Sequence, residues 1–350
     1  MNLKKLGPAI AVAVAFSSNV SEAQSASVQL AVIATPHDAD ATSSEVRVVT
    51  LDTGASRALG VLRHPPGAVV RGDTRSGAVF VITDEDDPGD RSWGAALYRV
   101  DGAGVHRLAA GVGHARRPLA SADGWVYVER GAAGPDPTDG RLRVDDVNLD
   151  AVDPATGAIR AVYTFKGYAL HLAGEQAGSL LVYRVGPQGA EVISLDARSG
   201  ALKSTIAVPP FARDFSVDDA RRTMVFADRR GDAWTVERLD LATFTLTTLS
   251  SDPDQQCSPL ALVDGSVART APRRGGLWIG GKVIAPLGAG FDAPLASTDD
   301  GAWLSVLHVP GAGMDETYAL QSATLRMIKI GGVERIDAVG FLGAGRGGVR

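Results

Sequence analysis

FSVDDARRTMVFADRRGDAWTVERLDLATFTLTTL, residues 215–249, holds a whole structural repeat in one line. MVFAD (224–228) and WTVERL (234–239) are short runs rich in apolar and β-branched residues, the pattern of buried strands. Ser216-Val217-Asp218-Asp219 precedes the first run as a turn. Arg230-Gly231-Asp232 separates the two runs. Leu239-Asp240 and Thr243-Phe244 then make a second turn, before a third strand at TLTTL (245–249). An Asp side chain in such turns accepts backbone N–H groups, and glycine supplies the left-handed residue at no steric cost.

Working outward, the same phrases recur along the chain. The Leu-Asp or Val-Asp hairpin appears as VRVVTLDTGASRAL (46–59), ALYRVDGAGVHRL (96–108), AVDPATGAIRAVYTF (151–165) and EVISLDARSGALKSTIAV (191–208). The fifth copy, at 234–249, carries Phe244 where glycine usually stands. The preceding phrase recurs as RPLASADGWVYVER (117–130), APLASTDDGAWLSVLHV (293–309) and, more loosely, RGDTRSGAVFVIT (71–83). Together the two phrases make four strands per repeat. Repeats begin near residues 68, 117, 168, 213, 259 and 293, a spacing of about 35 to 50 residues that suits four-stranded propeller blades. Residues 28–62 supply three more strands, and RIDAVGFL (335–342) reads as the inner strand this first unit lacks. The expectation is an all-β propeller of seven four-stranded blades, with six or eight as the alternatives. The C-terminal strand would complete the N-terminal blade and so remove its exposed edges.

Composition agrees. Glycine makes up 41 of 350 residues, above the roughly 7% of average proteins. Hydrophobic residues are 45% and charged residues 21%, which excludes disorder and a polytopic membrane protein. Lysine occurs only at 4, 5, 166, 203, 282 and 329, the other basic residues being arginine. These arginines are scattered among acids without a basic stripe, so nucleic acid is not an expected partner. Lys4 and Lys5, the apolar run Leu6–Phe16 and small Ser21 and Ala23 read as a signal peptide over 1–23. A single propeller domain would then occupy 24–350, located in the periplasm or outside the cell, without a lipid anchor or transmembrane segment. Cys257 is the only cysteine, so no internal disulfide forms. It reads as a half-buried bystander, and the protein is expected to be a monomer.

Residues 215–249 resemble the propeller repeat of the TolB-type family. Ser216, Asp218, Leu239, Asp240 and Thr243 match its pattern, while Asp219 and Phe244 replace its glycines. The resemblance covers most of the chain but belongs to the repeat, because the family's namesake carries an α/β domain before its propeller and strands here begin almost at the cleavage site. A complete ring with no assembled catalytic motif leads to the expectation of an exported, non-enzymatic propeller that binds a protein or peptide at one face. AVDPATGAIRAVY (151–163) is similar to quinoprotein repeats, yet Val162 and Tyr163 stand where their docking tryptophan belongs, so no quinone cofactor is implied. Trp125, Trp234, Trp278 and Trp303 lie within strands and are expected to pack between blades.

Candidate sites follow from position. The loop entering each inner strand opens at one mouth of the central channel. His64, His114, Arg117, His171, Arg213 and Asp292 lie in or near such loops and would form a polar, partly basic ligand site. Neutral imidazoles there could also hold a metal, which sets up the alternative reading of a lactonase- or lyase-type propeller enzyme. Asp84, Asp86 and Asp90, in TDEDDPGDR (83–91), offer clustered carboxylates to a divalent cation such as calcium. Leu51-Asp52-Thr53-Gly54-Ala55-Ser56 matches the active-site loop of retropepsin-like aspartic proteases, but it sits in register with LDARSG and VDPATG, where a hairpin turn accounts for it.

Overall fold

Asp240 shows how the repeated turn is made. Its Oδ1 accepts the backbone N–H groups of Ala242 and Thr243, each at 2.8 Å. Asp153 does the same with Ala155 (2.7 Å) and Thr156 (3.2 Å), and Asp196 with Arg198 (3.2 Å) and Ser199 (2.9 Å). Those backbone donors are the main reason all three carboxyls are held below their usual range. Four residues after Asp153 and Asp196, Gly157 and Gly200 take φ of +73° and +71°. At the matching position Phe244 adopts φ +54° although it carries a side chain, so the turn survives without its glycine. Leu325 (φ +56°) makes a further copy at Gln321–Leu325, hidden in the sequence because neither Asp nor Gly marks it.

The protein is seen here as a computed structural model that describes residues 27–36, 42–63, 69–72, 77–84, 94–113, 118–131, 145–218, 220–284, 287–332 and 334–342. All regular structure among the described residues is strand, 28 strands in total.

The strands fall into consecutive groups of four. The first group is β1 (Gln29–Thr35), β2 (Ser43–Thr50), β3 (Ser56–Arg63) and the last strand, β28 (Arg335–Leu342), in the order β28-β1-β2-β3. β4 (Val69–Gly72), β5 (Val79–Asp84), β6 (Ala95–Asp101) and β7 (Gly104–Val112) follow. Next come β8 (Leu119–Ala120), β9 (Val126–Gly131), β10 (Asp145–Val152) and β11 (Ile159–Gly167). These two groups are joined by one pairing, Val112 with Arg130, into an eight-stranded sheet. β12 (Ala169–Gln176), β13 (Ser179–Gly186), β14 (Gly189–Asp196) and β15 (Leu202–Val208) form a sheet in chain order. So do β16 (Arg213–Asp218), β17 (Thr223–Arg230), β18 (Ala233–Asp240) and β19 (Thr245–Asp252). β20 (Cys257–Ala261), β21 (Val267–Thr270), β22 (Leu277–Ile279) and β23 (Lys282–Ile284) are the shortest set. β24 (Gly290–Ser297), β25 (Trp303–Pro310), β26 (Glu316–Gln321) and β27 (Met327–Ile330) complete the chain.

Burial grades across each sheet. Second strands other than the alternating β21 are buried on both faces, as at Leu180–Tyr183 of β13 and Met224–Asp228 of β17. Fourth strands such as β15 and β19 alternate or lie open to solvent. The continuous apolar runs of the sequence are therefore the second strands, and each fully buried Leu or Val adds about 1.5–3 kcal/mol of transfer free energy. Adjacent sheets share these side chains: Leu181, Tyr183 and Val192 of β13 and β14 pack with Met224, Phe226 and Leu239 of β17 and β18. First strands lie one against the next, β4 against β8, β8 against β12, and so on to β24 against β28 and β28 against β4.

Two glycines separate backbone strain from close packing. Both Gly54 and Gly200 have left-handed φ, but a Cβ on Gly54 meets open space while one on Gly200 falls 1.8 Å from the Val162 carbonyl oxygen of β11. Gly54→Ala is expected to cost about 1 kcal/mol, the backbone penalty alone. Gly200→Ala should cost at least twice that, read from urea midpoints. Equal losses would mean that the 196–200 turn is not seated on β11.

Candidate functional site

In every sheet the first strand starts, and the second strand ends, at the same end, here called the upper end. The Asp turns lie at the opposite end. The buried run of each second strand finishes on a polar side chain: Thr35, Thr83, Glu129, Tyr183, Asp228, Thr270 and His308. Burying polar atoms at the end of an apolar run is costly unless they find partners. Where those partners are charged, the upper end acquires chemistry.

The first such cluster spans β9, β12, β13 and β16 to β19. Glu129 Oε1 accepts the Leu172 N–H at 2.6 Å, and Glu129 Oε2 stands 3.8 Å from His171 Nδ1. The His171 ring stacks on Tyr183, centroids 5.8 Å apart and planes 6° apart. The Tyr183 hydroxyl donates to the Pro210 carbonyl at 2.8 Å. Burial, and then the negative charge of Asp228, push the Tyr183 phenol up to about 12. Phe215 leans between Tyr183 and Phe226. Asp228 and Glu237 are both wholly buried and share one guanidinium, Arg230, at 3.4 and 3.2 Å. Thr248 completes Glu237 by donating at 2.9 Å.

The second cluster crosses β24, β25 and β26. The register sets Asp292 opposite His308 and His308 opposite Glu316, so the three share one face. Asp292 Oδ1 lies 2.6 Å from His308 Nδ1, with both side chains almost fully buried. A carboxylate on Nδ1 selects the tautomer that leaves Nε2 able to accept a proton or ligate. Beside it Glu316 binds the Tyr318 hydroxyl and Lys329 Nζ. Lys329 foremost holds the Glu316 carboxyl below its usual range. Burial, then Glu316, raise Tyr318 to about 12.

The third is a surface of arginines on tryptophans. Arg213 and Arg229 stand 4.5 and 5.8 Å from the Trp234 ring centre. Arg269 and Arg274 stand 5.4 and 5.9 Å from that of Trp278. Gln256 ties the two groups: its Nε2 donates to the Trp234 carbonyl at 3.1 Å and its Oε1 accepts from Arg269 Nε at 2.6 Å. Asp252, opposite Trp234 in the ladder, receives Arg274 Nη2. Nearby, Asp214 (φ +56°) accepts the N–H of Ser258 (φ +49°) at 2.9 Å, so two left-handed residues brace consecutive first strands. Phe211 and Tyr168, in the connections that precede β16 and β12, are exposed.

Of the residues expected to line the channel mouth, His171, Arg213 and Asp292 fall at the upper ends of β12, β16 and β24. Each is held by its own neighbours: His171 by Tyr183, Arg213 by Trp234, Asp292 by His308. His64, His114 and Arg117 lie outside the described residues, as do Asp86, Asp90 and residues 1–23. Asp84 ends β5, and its side chain is likewise outside the description. Among the described residues no three His, Cys, Asp or Glu side chains are grouped to hold a metal ion. Asp52 is exposed in the β2–β3 turn, where Gly54 N–H bonds the Thr50 carbonyl. Cys257 is a free, half-buried thiol pushed up chiefly by burial, the opposite of an activated nucleophile. No helix among the described residues is long and apolar enough to cross a membrane.

Sequence reasoning missed Glu129, Tyr183, Asp228 and His308. Their signal was present, since VYVE, LLVY, VFAD and SVLH each end an apolar run on one polar residue. It also assigned Trp234 and Trp278 to packing between blades. Trp303 is indeed buried in the core, whereas Trp234 and Trp278 are half-buried and covered by arginines.

The sequence matches no protein-family model and no curated protein. Solved structures do match. TolB from Acinetobacter baumannii superposes with a TM-score of 0.56 at 11% identity, over 91% of this chain and 67% of that one. The chain folds as a β-propeller. Further similar structures are a 6-phosphogluconolactonase-like protein from Bacteroides fragilis (TM-score 0.58, 13% identity, 90% and 98% of the two chains) and the periplasmic gluconolactonase of Pseudomonas aeruginosa (0.54, 14%, 91% and 99%). At these identities the likeness is one of fold.

The Asp292–His308 pair can be tested for coupling. Asp292→Ala strands a buried imidazole donor, and a double-mutant cycle with His308→Ala is expected to give a coupling of about 1–3 kcal/mol in urea unfolding. Additive losses would mean that the pair does not form.

Proposed function

We propose that the 28 strands make seven blades closed into one ring, with β28 as the inner strand of the β1–β3 blade, and that this ring recognises a protein or peptide at its upper face. Support for the ring comes from the groups of four, the ladder from Gln29–Leu342 to Thr35–Arg335, and the succession of touching first strands. The recognition reading is carried by one observation, the arginine–tryptophan surface across β16–β22. Trp and Arg are the residues in which binding hot spots are enriched, because they cover much area and lose little freedom on contact. The leader expected at 1–23 would place the protein in the periplasm or outside the cell, a location shared with the Pseudomonas gluconolactonase. Protein coupled to a resin and offered its host's exported fraction is expected to retain a partner of micromolar or tighter Kd. The Trp234→Ala, Trp278→Ala double variant should weaken that Kd at least tenfold. A partner held equally by the variant would move recognition off this face.

A second reading, lactone hydrolysis, is favoured by the Asp292–His308 pair together with the two lactonase-type neighbours. In that chemistry His308 Nε2 takes a proton from water as the water attacks the lactone carbonyl, Asp292 steadies the imidazolium, and the imidazolium returns the proton to the ring oxygen as its bond to the acyl carbon breaks. Gluconolactone and 6-phosphogluconolactone opening, followed by pH-stat, should then fall about 100-fold or more in His308→Gln. A wild-type rate no faster than that variant removes the reading.

A further inference from the structure

Arg213 and Arg229 differ from almost every other described arginine at the upper end in what they lack. Arg230 is engaged by Asp228 and Glu237, Arg273 by Asp254, and Arg274 by Asp252 and Asp254. Among the described residues Arg213 makes no hydrogen bond or ion pair, and it covers the Trp234 ring. Arg229 uses Nε alone, on the Gly231 carbonyl at 3.2 Å. Both are exposed.

The ladder explains why they meet. Arg213 sits opposite Ala227, and Arg229 sits opposite Trp234. Residues 227 and 229 point to the same face, so Arg213, Arg229 and Trp234 are neighbours on one side of the sheet. Stacking on a shared indole contributes roughly 0.5–2 kcal/mol per cation and fixes where each guanidinium lies. Two like charges thus share one indole, with most of their donors unused. The nearby acids do not neutralise them. Asp214 turns its Oδ2 to the Ser258 N–H, Asp252 is taken by Arg274, and Asp232, in the hairpin, makes no ion pair among the described residues.

We infer that Arg213, Arg229 and Trp234 form a clamp for an acidic side chain of a bound peptide segment, the carboxylate taking guanidinium donors from both arginines. This rests on the recognition reading above and names its ligand chemistry. A carboxylate fits the planar fork of guanidinium donors. Capture of a chain's terminal carboxylate normally uses a nest of backbone N–H groups, and the backbone donor beside Arg213, that of Ser258, is already occupied by Asp214. An internal Asp or Glu is therefore the occupant.

The probe is a library of random dodecapeptides displayed on phage by their C-terminal ends, so that no terminal carboxylate is free. Selection on the full-length protein is expected to enrich Asp and Glu. A selected peptide, made synthetically, should lose at least tenfold in affinity to the Arg213→Ala, Arg229→Ala variant. It should lose a similar factor when its acids become Asn and Gln. The Lys, Lys variant should recover only part of the loss, since it restores charge without the fork. Arg273→Ala should leave affinity within about twofold, because a solvent-exposed ion pair contributes little, and thermal melts check that each variant folds. Selected peptides without acidic enrichment, or acidic peptides indifferent to both arginines, would overturn the clamp and leave recognition standing. No selected peptide at all would remove both.

Discussion

Second strands buried on both faces are the constraint from which the rest follows. Leu180–Tyr183 and Met224–Asp228 leave neither side of their sheets fit for water. A sheet of this kind needs a neighbour on each face, and that neighbour needs another. A row of such sheets exposes two apolar ends unless it turns back on itself. Pairing β28 with β1 joins the beginning of the described chain to its end by backbone hydrogen bonds as well as by packing, with Leu342 among the core residues of β1, β2 and β5. One cysteine means that no covalent staple shares this task.

The same constraint shapes the upper end. An apolar run that must finish near solvent finishes on a side chain with an apolar body and a polar tip, or on a charge with a partner. Tyr183 and His308 are of the first kind, Glu129 and Asp228 of the second. Once buried, these groups are oriented by the sheet, because the ladder decides who stands opposite whom. Asp292 faces His308 across one register step. That orientation is what a binding or proton-transferring site requires, since groups already held in place need little ordering when a ligand arrives.

Much of the architecture was legible because hairpin chemistry is local. Asp153, Asp196 and Asp240 bond N–H groups two or three residues on, so a short window of sequence contains donor and acceptor, and for Asp153 and Asp196 the glycine as well. Repeat starts near 168, 213, 259 and 293 fall within a few residues of β12, β16, β20 and β24. What escaped was non-local. Leu325 occupies a left-handed position that no residue type announces, whereas Phe244 was placed at its glycine position by register with the other copies. His308 gains its meaning from Asp292, sixteen residues earlier and one strand away, and a slip of one residue in that ladder would part them. Arg213 was singled out for its place at a strand entrance, but its stacking on Trp234 depends on two ladders at once.

Composition and position together explain why the two tryptophan groups are not equivalent. Trp278 carries Arg269 and Arg274, which are already answered by Gln256, Asp252 and Asp254. That group is electrostatically closed and joins β19 to the β21–β22 connection, a brace for the shortest sheet. Trp234 carries Arg213 and Arg229, whose donors remain largely unused. Trp234 lies between Asp252 and Arg229 in the ladder, and Gln256 holds its carbonyl. Its backbone is therefore held by the braced group, while its ring carries the two arginines. A rigid aromatic platform with unspent charge is a better binding surface than either feature alone, because the cost of ordering it has already been met by folding.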